Sequence, residues 1–245
     1  MLTMAAAAVV AVGAFAGGFV SGLAGFGTGL VALGIWLHVV APAPAATLVA
    51  ICSVAAQAGT IPAVWHAVDR ARAGPMVVAG LLGVPAGTLL LSRVNPDAFG
   101  LGVGVLLVAY SGTMLLRRVR RGVAWGGRAA DAGVGFAGGV LGGLSGLSGA
   151  LPTAWATLRG WSKDEARGVF QVFNLSVLAA VVLWHAASGL VTPELGLLAL
   201  VALPGTASGA WLGVRAYRRL SDKRFREVVL WLLMASGVQL LLTKL

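Results

Sequence analysis

Long apolar stretches alternate with short, mostly basic segments along the whole chain. Most of the apolar stretches approach the length of about 20 residues with which an α-helix crosses the hydrocarbon core of a bilayer. Glycine interrupts two of them, in SGLAGFGTG at residues 21–29 and in GGLSGLSG at residues 142–149. Each glycine destabilises a helix by about 1 kcal/mol relative to alanine. The pattern therefore predicts an all-α polytopic membrane protein with two breaks in its helices.

The sequence around the two breaks is repeated. FAGG at 15–18 recurs 121 positions later at 136–139, and the same separation relates the glycines that follow. The repetition predicts a single membrane domain over 1–245, formed by a tandem duplication. Within it we expect one repeat at about 4–121 and a second at about 128–245.

Each repeat is predicted to contain a glycine-rich hairpin of broken helix, which enters and leaves the bilayer on one side, followed by three transmembrane helices. The return arms of the hairpins are expected at about 29–40 and 150–159. With about ten to twelve residues at 1.5 Å each, they measure about 15–18 Å, which reaches the middle of the bilayer without crossing it. The six spanning helices are predicted at about 44–68, 74–92, 97–116, 165–187, 193–214 and 222–242.

The distribution of basic residues supports the hairpins and gives their orientation. If each glycine-rich stretch crossed the bilayer once, the 18 Lys and Arg residues would divide 8 to 10 between the two sides. With hairpins, 16 lie on one side, in segments 70–72, 117–128, 159–167 and 215–226, and two lie on the other. Cytoplasmic segments are enriched in Lys and Arg, so the second division is the expected one. The repeats then have opposite orientations, as in the inverted-topology repeats of many secondary transporters, and both termini are extracytoplasmic.

The composition restricts the partners of the protein. The chain is 58% hydrophobic and 11% charged, and its net charge of +10 lies in short segments between apolar stretches. There the charge sets orientation and does not indicate nucleic-acid binding. Cys52 is the only cysteine, which excludes an intramolecular disulfide and argues against a cysteine metal cluster. We expect a multi-pass protein in the lipid bilayer with no nucleic-acid partner, metal or cofactor, and a homodimer is compatible with the sequence.

The breaks and the segments after them resemble the TauE/SafE family of sulfite and organosulfonate exporters. The resemblance is carried by SGLAGFGTGLVALGIWL at 21–37, by the stretch from GGVLGGLSGLSGALP to GVFQVFN at 138–174, and by RFREVVLWLLMASGVQLLL at 224–242. It implies transport of small sulfur-containing or other organic anions across the bacterial inner membrane. One departure is that Pro152, after the second glycine motif, has Val31 as its counterpart. The first return arm is therefore expected to start less rigidly.

The predicted spans lack the charged residues that drive many transporters. No Asp or Glu falls in the middle of a span, and Asp131 and Glu227 lie near span ends. A buried carboxylate usually marks a proton-driven transporter. Its absence favours a uniporter or a less conventional coupling and suits an anionic substrate. Since no Lys or Arg lies at mid-depth, we expect helix N-termini at the hairpin tips to attract the anion, with Arg167 as a candidate contact at the inner mouth.

The candidate substrate-binding residues lie at the two tips and on the helices that follow. Glycine lets an anion approach the backbone closely, and Ser and Thr hydroxyls add donors. The candidates at the tips are Gly25, Phe26, Gly27, Thr28, Ser145, Gly146, Leu147, Ser148 and Gly149. Those on the following helices are Ser53, Gln57, Gln171 and Asn174, which either line a pore or form hydrogen bonds between helices. Gly18 and Gly139, before the tips, are predicted to allow close helix packing.

GLSG at 143–146 also resembles the serine motif of rhomboid intramembrane proteases. A serine nucleophile needs a base within hydrogen-bond distance, and the predicted topology places His185 near the outer surface, away from Ser145. The first repeat has Ala24 at the position of Ser145. Repetition of the glycines without the serine favours a role in backbone geometry, and so a transporter rather than a protease.

Overall fold

Helices account for nearly all of the described chain. The computed structural model describes residues 4–90, 96–117, 125–145 and 148–242, and these contain ten α-helices and no strand. The all-α prediction is therefore confirmed. The helices are α1 (Met4–Ala24), α2 (Thr28–Trp36), α3 (Pro42–Thr60), α4 (Arg70–Leu90), α5 (Pro96–Arg117), α6 (Gly127–Ser145), α7 (Ala150–Arg159), α8 (Lys163–Ala187), α9 (Pro193–Arg218) and α10 (Asp222–Leu242).

The predicted helix at 44–68 is wrong at its C-terminal end. The helix α3 ends at Thr60, and two short 3₁₀ turns follow at Ile61–Ala63 and Trp65–Ala67. Pro62 explains the change, because proline has no backbone N–H and its ring collides with the carbonyl four residues earlier in an α-helix. Helices are present at the other five predicted positions, with ends within a few residues of the prediction. Of the six predicted spans, those of α3, α8 and α9 have the length and apolar composition to cross a bilayer among the described residues.

Local signals fix the start of α8 and the end of α7. The Ser162 hydroxyl accepts a hydrogen bond from the backbone N–H of Glu165, and the Glu165 carboxylate accepts one from the N–H of Ser162. This capping box satisfies N–H groups that have no partner within the helix. Gly160, with φ of +68°, ends α7 in the left-handed conformation that glycine adopts readily.

The helices differ in whether they are long enough to cross a bilayer. Among the described residues, four stretches have the length and apolar composition for it: Met4–Ala24, Pro44–Ala63, Lys163–Ala187 and Pro193–Arg218. The return arms α2 and α7 have 9 and 10 residues, about 14 and 15 Å, so the prediction of short arms is confirmed. The arm before the first break, α1, is long enough to cross, so in this hairpin only the return arm is short.

The first arm of each hairpin packs against a helix of the other repeat. α1 lies along α9, and α6 lies along α4. A Cβ atom on Gly18 would collide with the backbone carbonyl of Thr206, and one on Gly139 would collide with that of Gly80. The close helix packing predicted at Gly18 and Gly139 is confirmed.

The partner helices contribute glycines to the same interfaces. A Cβ on Gly209 of α9 would collide with the Phe15 carbonyl of α1, and one on Gly83 of α4 would collide with the Phe136 carbonyl of α6. Phe15 and Phe136 are 121 positions apart in the sequence. Gly83 and Gly209 are 126 positions apart, as are Gly80 and Thr206. The two interfaces therefore show the same pattern of contacts, with a shift of five positions between α4 and α9 relative to the separation of 121.

The helices α3 and α8 lie between these two pairs. α3 contacts α1, α2, α8 and α9, and α8 contacts α3, α4, α6, α7 and α10. Side chains on one face of α8 are fully or almost fully buried, including Arg167, Gln171 and Asn174. This arrangement places the two helix breaks against the polar faces of α3 and α8.

Replacement of Gly139 with alanine is expected to destabilise the protein. The added Cβ collides with a backbone atom that cannot move independently, and overpacking of this kind costs about 1–3 kcal/mol. Thermal unfolding in detergent measures the loss. The matched control is Gly133→Ala in the same helix, since a Cβ at Gly133 meets nothing within 4 Å and alanine favours the helix by about 1 kcal/mol. Equal melting temperatures for the two variants would contradict the packing role.

Candidate functional site

The first break is a sharp turn made by glycines. α1 ends at Ala24 and α2 begins at Thr28, and between them Gly25 and Gly27 have φ of +83° and +94°. Other residues rarely adopt such angles. The prediction that Gly27 marks the turn is confirmed. In the second break, Gly146 and Leu147 and the side chain of Ser145 lie outside the described residues, so their predicted roles stay predictions.

Both return arms begin without a side-chain cap. Gly27 precedes α2 and Gly149 precedes α7, and neither helix start receives a capping hydrogen bond from a side chain. The first N–H groups of a helix have no intrahelical carbonyl partner. Pro152 is the third residue of α7, where the loss of its N–H removes no helical hydrogen bond.

A small cavity lies where the two helix starts meet. Its volume is about 30 Å³, enough for about two water molecules. The lining residues come from both breaks and from α3, α8 and α10: Phe26, Gly27, Thr28, Gly29, Leu30, Ser53, Gln57, Ser148, Gly149, Ala150, Asn174, Leu178 and Ser236.

Most of the lining consists of pairs of residues that correspond in the two repeats. Five pairs are separated by 121 positions in the sequence: Gly27 with Ser148, Thr28 with Gly149, Gly29 with Ala150, Ser53 with Asn174 and Gln57 with Leu178. Only the pair of Ser53 and Asn174 is polar in both repeats. The cavity is thus contributed almost equally by the two repeats, but its hydrogen-bonding groups are distributed unequally.

Asn174 connects the two breaks. The Ser148 hydroxyl donates to Oδ1 of Asn174 at 2.8 Å, and Nδ2 of Asn174 donates to the backbone carbonyl of Gly25 at 3.3 Å. All of these groups are buried. Asn174 therefore lines the cavity and also links α8 to both breaks by hydrogen bonds. The prediction that it lines a transport pore stays a prediction.

Two polar atoms of the lining residues have no hydrogen-bond partner among the described residues. They are Oγ1 of Thr28 and Oε1 of Gln57, and both are buried. Buried polar atoms are normally paired, so these two are available to a ligand or to water in the cavity. Rotation of the Gln57 amide by half a turn exchanges its oxygen and nitrogen, which gives the cavity a donor in place of an acceptor.

Gln171 lies on the polar face of α8 but does not line the cavity. Its Nε2 donates to the backbone carbonyl of Gln57 at 3.0 Å and to the hydroxyl of Thr60. Gln171 therefore holds α8 against α3. Gly25 also lies outside the lining and contributes only its carbonyl, the acceptor for Asn174.

Five lining residues were not among the predicted candidates. They are Gly29, Leu30, Ala150, Leu178 and Ser236. The separation of 121 positions would have identified Leu178 from the candidate Gln57. Ser236 is a buried serine in the apolar helix α10, and its hydroxyl donates to the Leu232 carbonyl at 2.7 Å.

The acidic residues near span ends do not line the cavity. Asp131 is buried in α6, and its carboxylate accepts a hydrogen bond from Nε1 of Trp155 at 2.7 Å. Glu227 is exposed. Nδ1 of His185 lies 3.0 Å from the Thr47 hydroxyl. The polar groups of the cavity are therefore hydroxyls, amides and backbone groups.

Comparison with known proteins identifies one family. The family model described as Sulfite exporter TauE/SafE matches residues 9–240, which include both helix breaks and every residue that lines the cavity. No curated protein and no solved structure matches the chain significantly. Because the match covers nearly the whole sequence, the chain belongs to the TauE/SafE family of sulfite exporters, which are membrane transporters.

Proposed function

We propose that the protein transports small anions, foremost sulfite and related organosulfonates, across the bacterial inner membrane. The anion binds in the cavity between the two breaks, and the protein works as a secondary transporter by alternating access. One observation carries this proposal: the uncapped starts of α2 and α7 meet at one cavity lined by corresponding residues of two repeats. Membership in the TauE/SafE family favours transport over intramembrane proteolysis.

The chemistry of the cavity suits an oxyanion. Each helix N-terminus favours a nearby negative charge by about 0.3–1 kcal/mol, and by up to about 2 kcal/mol when partly buried. The free hydroxyl of Thr28 adds a donor. No Asp or Glu is among the lining residues in the described part of the chain, so no carboxylate there repels the substrate. The volume of about 30 Å³ favours the smallest anions of the family in this conformation.

A ligand screen tests the proposal. Purified protein is heated with sulfite, sulfate, thiosulfate, taurine, sulfoacetate or acetate, because a ligand that binds the native state raises the melting temperature. We expect sulfite to give the largest shift and acetate the smallest. Uptake of radiolabelled sulfite into proteoliposomes then measures transport. Absence of both a shift and uptake for every sulfur-containing anion would refute the proposal.

The inverted orientation of the repeats is part of the proposal and has its own test. Two observations support it. The first arm of each hairpin packs against a helix of the other repeat, α1 on α9 and α6 on α4. In this topology the basic residues divide 16 to 2 between the two sides of the membrane. In a Cys52→Ala background, single cysteines near position 2 and after position 243 are expected to react with impermeant thiol reagents from the periplasm. Cysteines within 117–128 are expected not to react. Termini found on opposite sides of the membrane would exclude inverted hairpins.

Transport is expected to continue without a carboxylate at either span end. Asparagine at position 131 keeps an acceptor for the indole N–H of Trp155, and Glu227 is exposed. Asp131→Asn and Glu227→Gln are therefore expected to retain most of the uptake rate in proteoliposomes. Complete loss in a variant that melts at the wild-type temperature would identify a carboxylate that couples transport to protons.

A further inference from the structure

A buried arginine without hydrogen bonds lies near the first break. Arg167 has 0% of its surface exposed, and its Nε and both terminal nitrogens have no hydrogen-bond partner among the described residues. The ion pairs of the described chain involve Arg72, with Asp69 and with Glu165. Asp164, one turn earlier in α8, attracts the guanidinium electrostatically but does not form an ion pair with it among the described residues. Burial removes the hydration of the guanidinium, and no hydrogen bond among the described residues replaces it.

Among the described residues, the neighbours of Arg167 leave its nitrogens without a hydrogen-bond partner. Its Cζ lies 3.9 Å from the centre of the Tyr217 ring, above the ring face. This contact stabilises a cation but provides no acceptor for the five N–H groups of a guanidinium. The Tyr217 hydroxyl donates instead to the carboxylate of Asp164. The stem of Arg167 packs behind the first break, where its Cγ would lie 3.2 Å from a Cβ placed on Gly25.

Arg167 belongs to the same face of α8 as the cavity residues. Arg167, Gln171, Asn174 and Leu178 follow one another at intervals of three or four residues, which places them in line along a helix. Asn174 and Leu178 line the cavity. Arg167 lies two turns, or about 10 Å, from Asn174 toward the start of α8. That end adjoins the basic segment 159–167, which the charge distribution places at the cytoplasmic surface.

We propose that the guanidinium of Arg167 is a second anion-binding subsite, which holds the substrate on its way between the cavity and the cytoplasm. The inference rests on the proposed transport of sulfur oxyanions. The planar fork of a guanidinium donates two parallel hydrogen bonds to two oxygens of one oxyanion. The nitrogens of Arg167, which have no hydrogen-bond partner among the described residues, would form hydrogen bonds to an anion only while the substrate passes. The nearby Asp164 carboxylate weakens the attraction for that anion and so favours its release.

Substitution by methionine separates binding from packing. Methionine keeps an apolar stem of similar length and a favourable contact with the Tyr217 ring, but removes the charge. Without anion, we expect Arg167→Met to melt at or above the wild-type temperature, since an unpaired buried charge is removed. We expect sulfite uptake at low concentration to fall at least about tenfold. This is the loss of affinity expected when the hydrogen bonds between a charged group and its ligand are removed. Arg167→Lys keeps the charge and is expected to retain part of the uptake.

The matched control is Arg215→Met. Arg215 also lies over an aromatic ring, with Cζ 3.5 Å from the centre of Trp211, but it is exposed. Its replacement is expected to leave sulfite uptake unchanged. A variant Arg167→Met that melts at a lower temperature and transports sulfite with wild-type KM would overturn the inference, because Arg167 would then serve only packing.

The test distinguishes this inference from the proposed function. If wild-type protein binds and transports sulfite and Arg167→Met does so with equal affinity, the cavity is the only subsite and the inference alone fails. If wild-type protein neither binds nor transports any anion of the screen, the proposed function fails, and the inference fails with it. A loss of uptake in Arg167→Met, with a retained melting temperature and with partial activity in Arg167→Lys, supports the subsite.

Discussion

Replacement of Gly149 with valine is expected to abolish anion binding and sulfite uptake. A Cβ at this position would lie 2.8 Å from Nδ2 of Asn174 and 2.9 Å from Cβ of Phe26, closer than non-bonded atoms approach. The two further methyl groups of valine would enter a cavity of only about 30 Å³. Because valine would occupy the space proposed for the anion, we expect affinity to fall by more than about a hundredfold, which is equivalent to about 3 kcal/mol of binding free energy.

Gly34→Val is the control for this substitution. Gly34 lies in the other return arm, α2, is exposed, and has space around it, because a Cβ there meets nothing within 4 Å. The anion-dependent rise in melting temperature and the uptake rate should be close to wild type in Gly34→Val. If Gly149→Val folds and transports sulfite as well as Gly34→Val does, the substrate does not pass between the two breaks.

An acidic residue at position 148 is expected to have an effect of similar size. Ser148 is buried and lines the cavity, so the carboxylate of Ser148→Asp would stand close to a bound anion. Two like charges 4 Å apart repel by about 4 kcal/mol at an effective dielectric constant of about 20, which weakens binding about a thousandfold. Sulfite uptake and the sulfite-dependent melting temperature measure the loss.

Neutral substitutions at the same position separate charge from geometry. Ser148→Asn introduces a side chain of the size of aspartate without its charge and is expected to bind sulfite far better than Ser148→Asp. Ser148→Ala loses the hydrogen bond to Asn174 and is expected to weaken binding by about 1 kcal/mol. Sulfite transport by Ser148→Asp at the original rate would mean that the breaks serve packing and that the anion binds elsewhere.

The sequence predicted the helices and most of the cavity, since both depend on signals that are local or repeated. Apolar length located the spans, glycines located the first turn, and the separation of 121 positions related Ser53 to Asn174. Pro62 was the local signal that the prediction of a helix at 44–68 overlooked. Hydropathy alone does not specify which helices are neighbours, so the packing of α1 on α9 was not predicted. Gly205, Gly209 and Gly213 lie on one face of α9, and their spacing would have indicated close packing of another helix there.

Three side chains of α8 show why burial was harder to predict than helices. Arg167 was predicted as an anion contact at the inner mouth, because it stands near the start of the helix that carries Asn174. In the fold it is covered by Tyr217 of α9 and by the first break, neither of which is near it in sequence. Gln171 and Asn174 are three residues apart on one face, yet one bonds to α3 and the other lines the cavity. The rotation of α8 about its axis determines which of the two side chains faces α3 and which faces the cavity. The sequence of α8 alone does not specify that rotation.

The packing of α1 against α9 has a consequence for the order in which the protein forms during synthesis. The glycine face of α1 has its backbone partner in a helix that ends at Arg218. At about 5–20 residues per second, ribosomes need about 10–40 s to extend the chain from Ala24 to that point. The pair α4 and α6 is complete much earlier. The helix α1, the first to leave the ribosome, is therefore without its packing partner α9 for the longest time. The first glycine turn reaches its final surroundings only when synthesis of the chain is nearly complete.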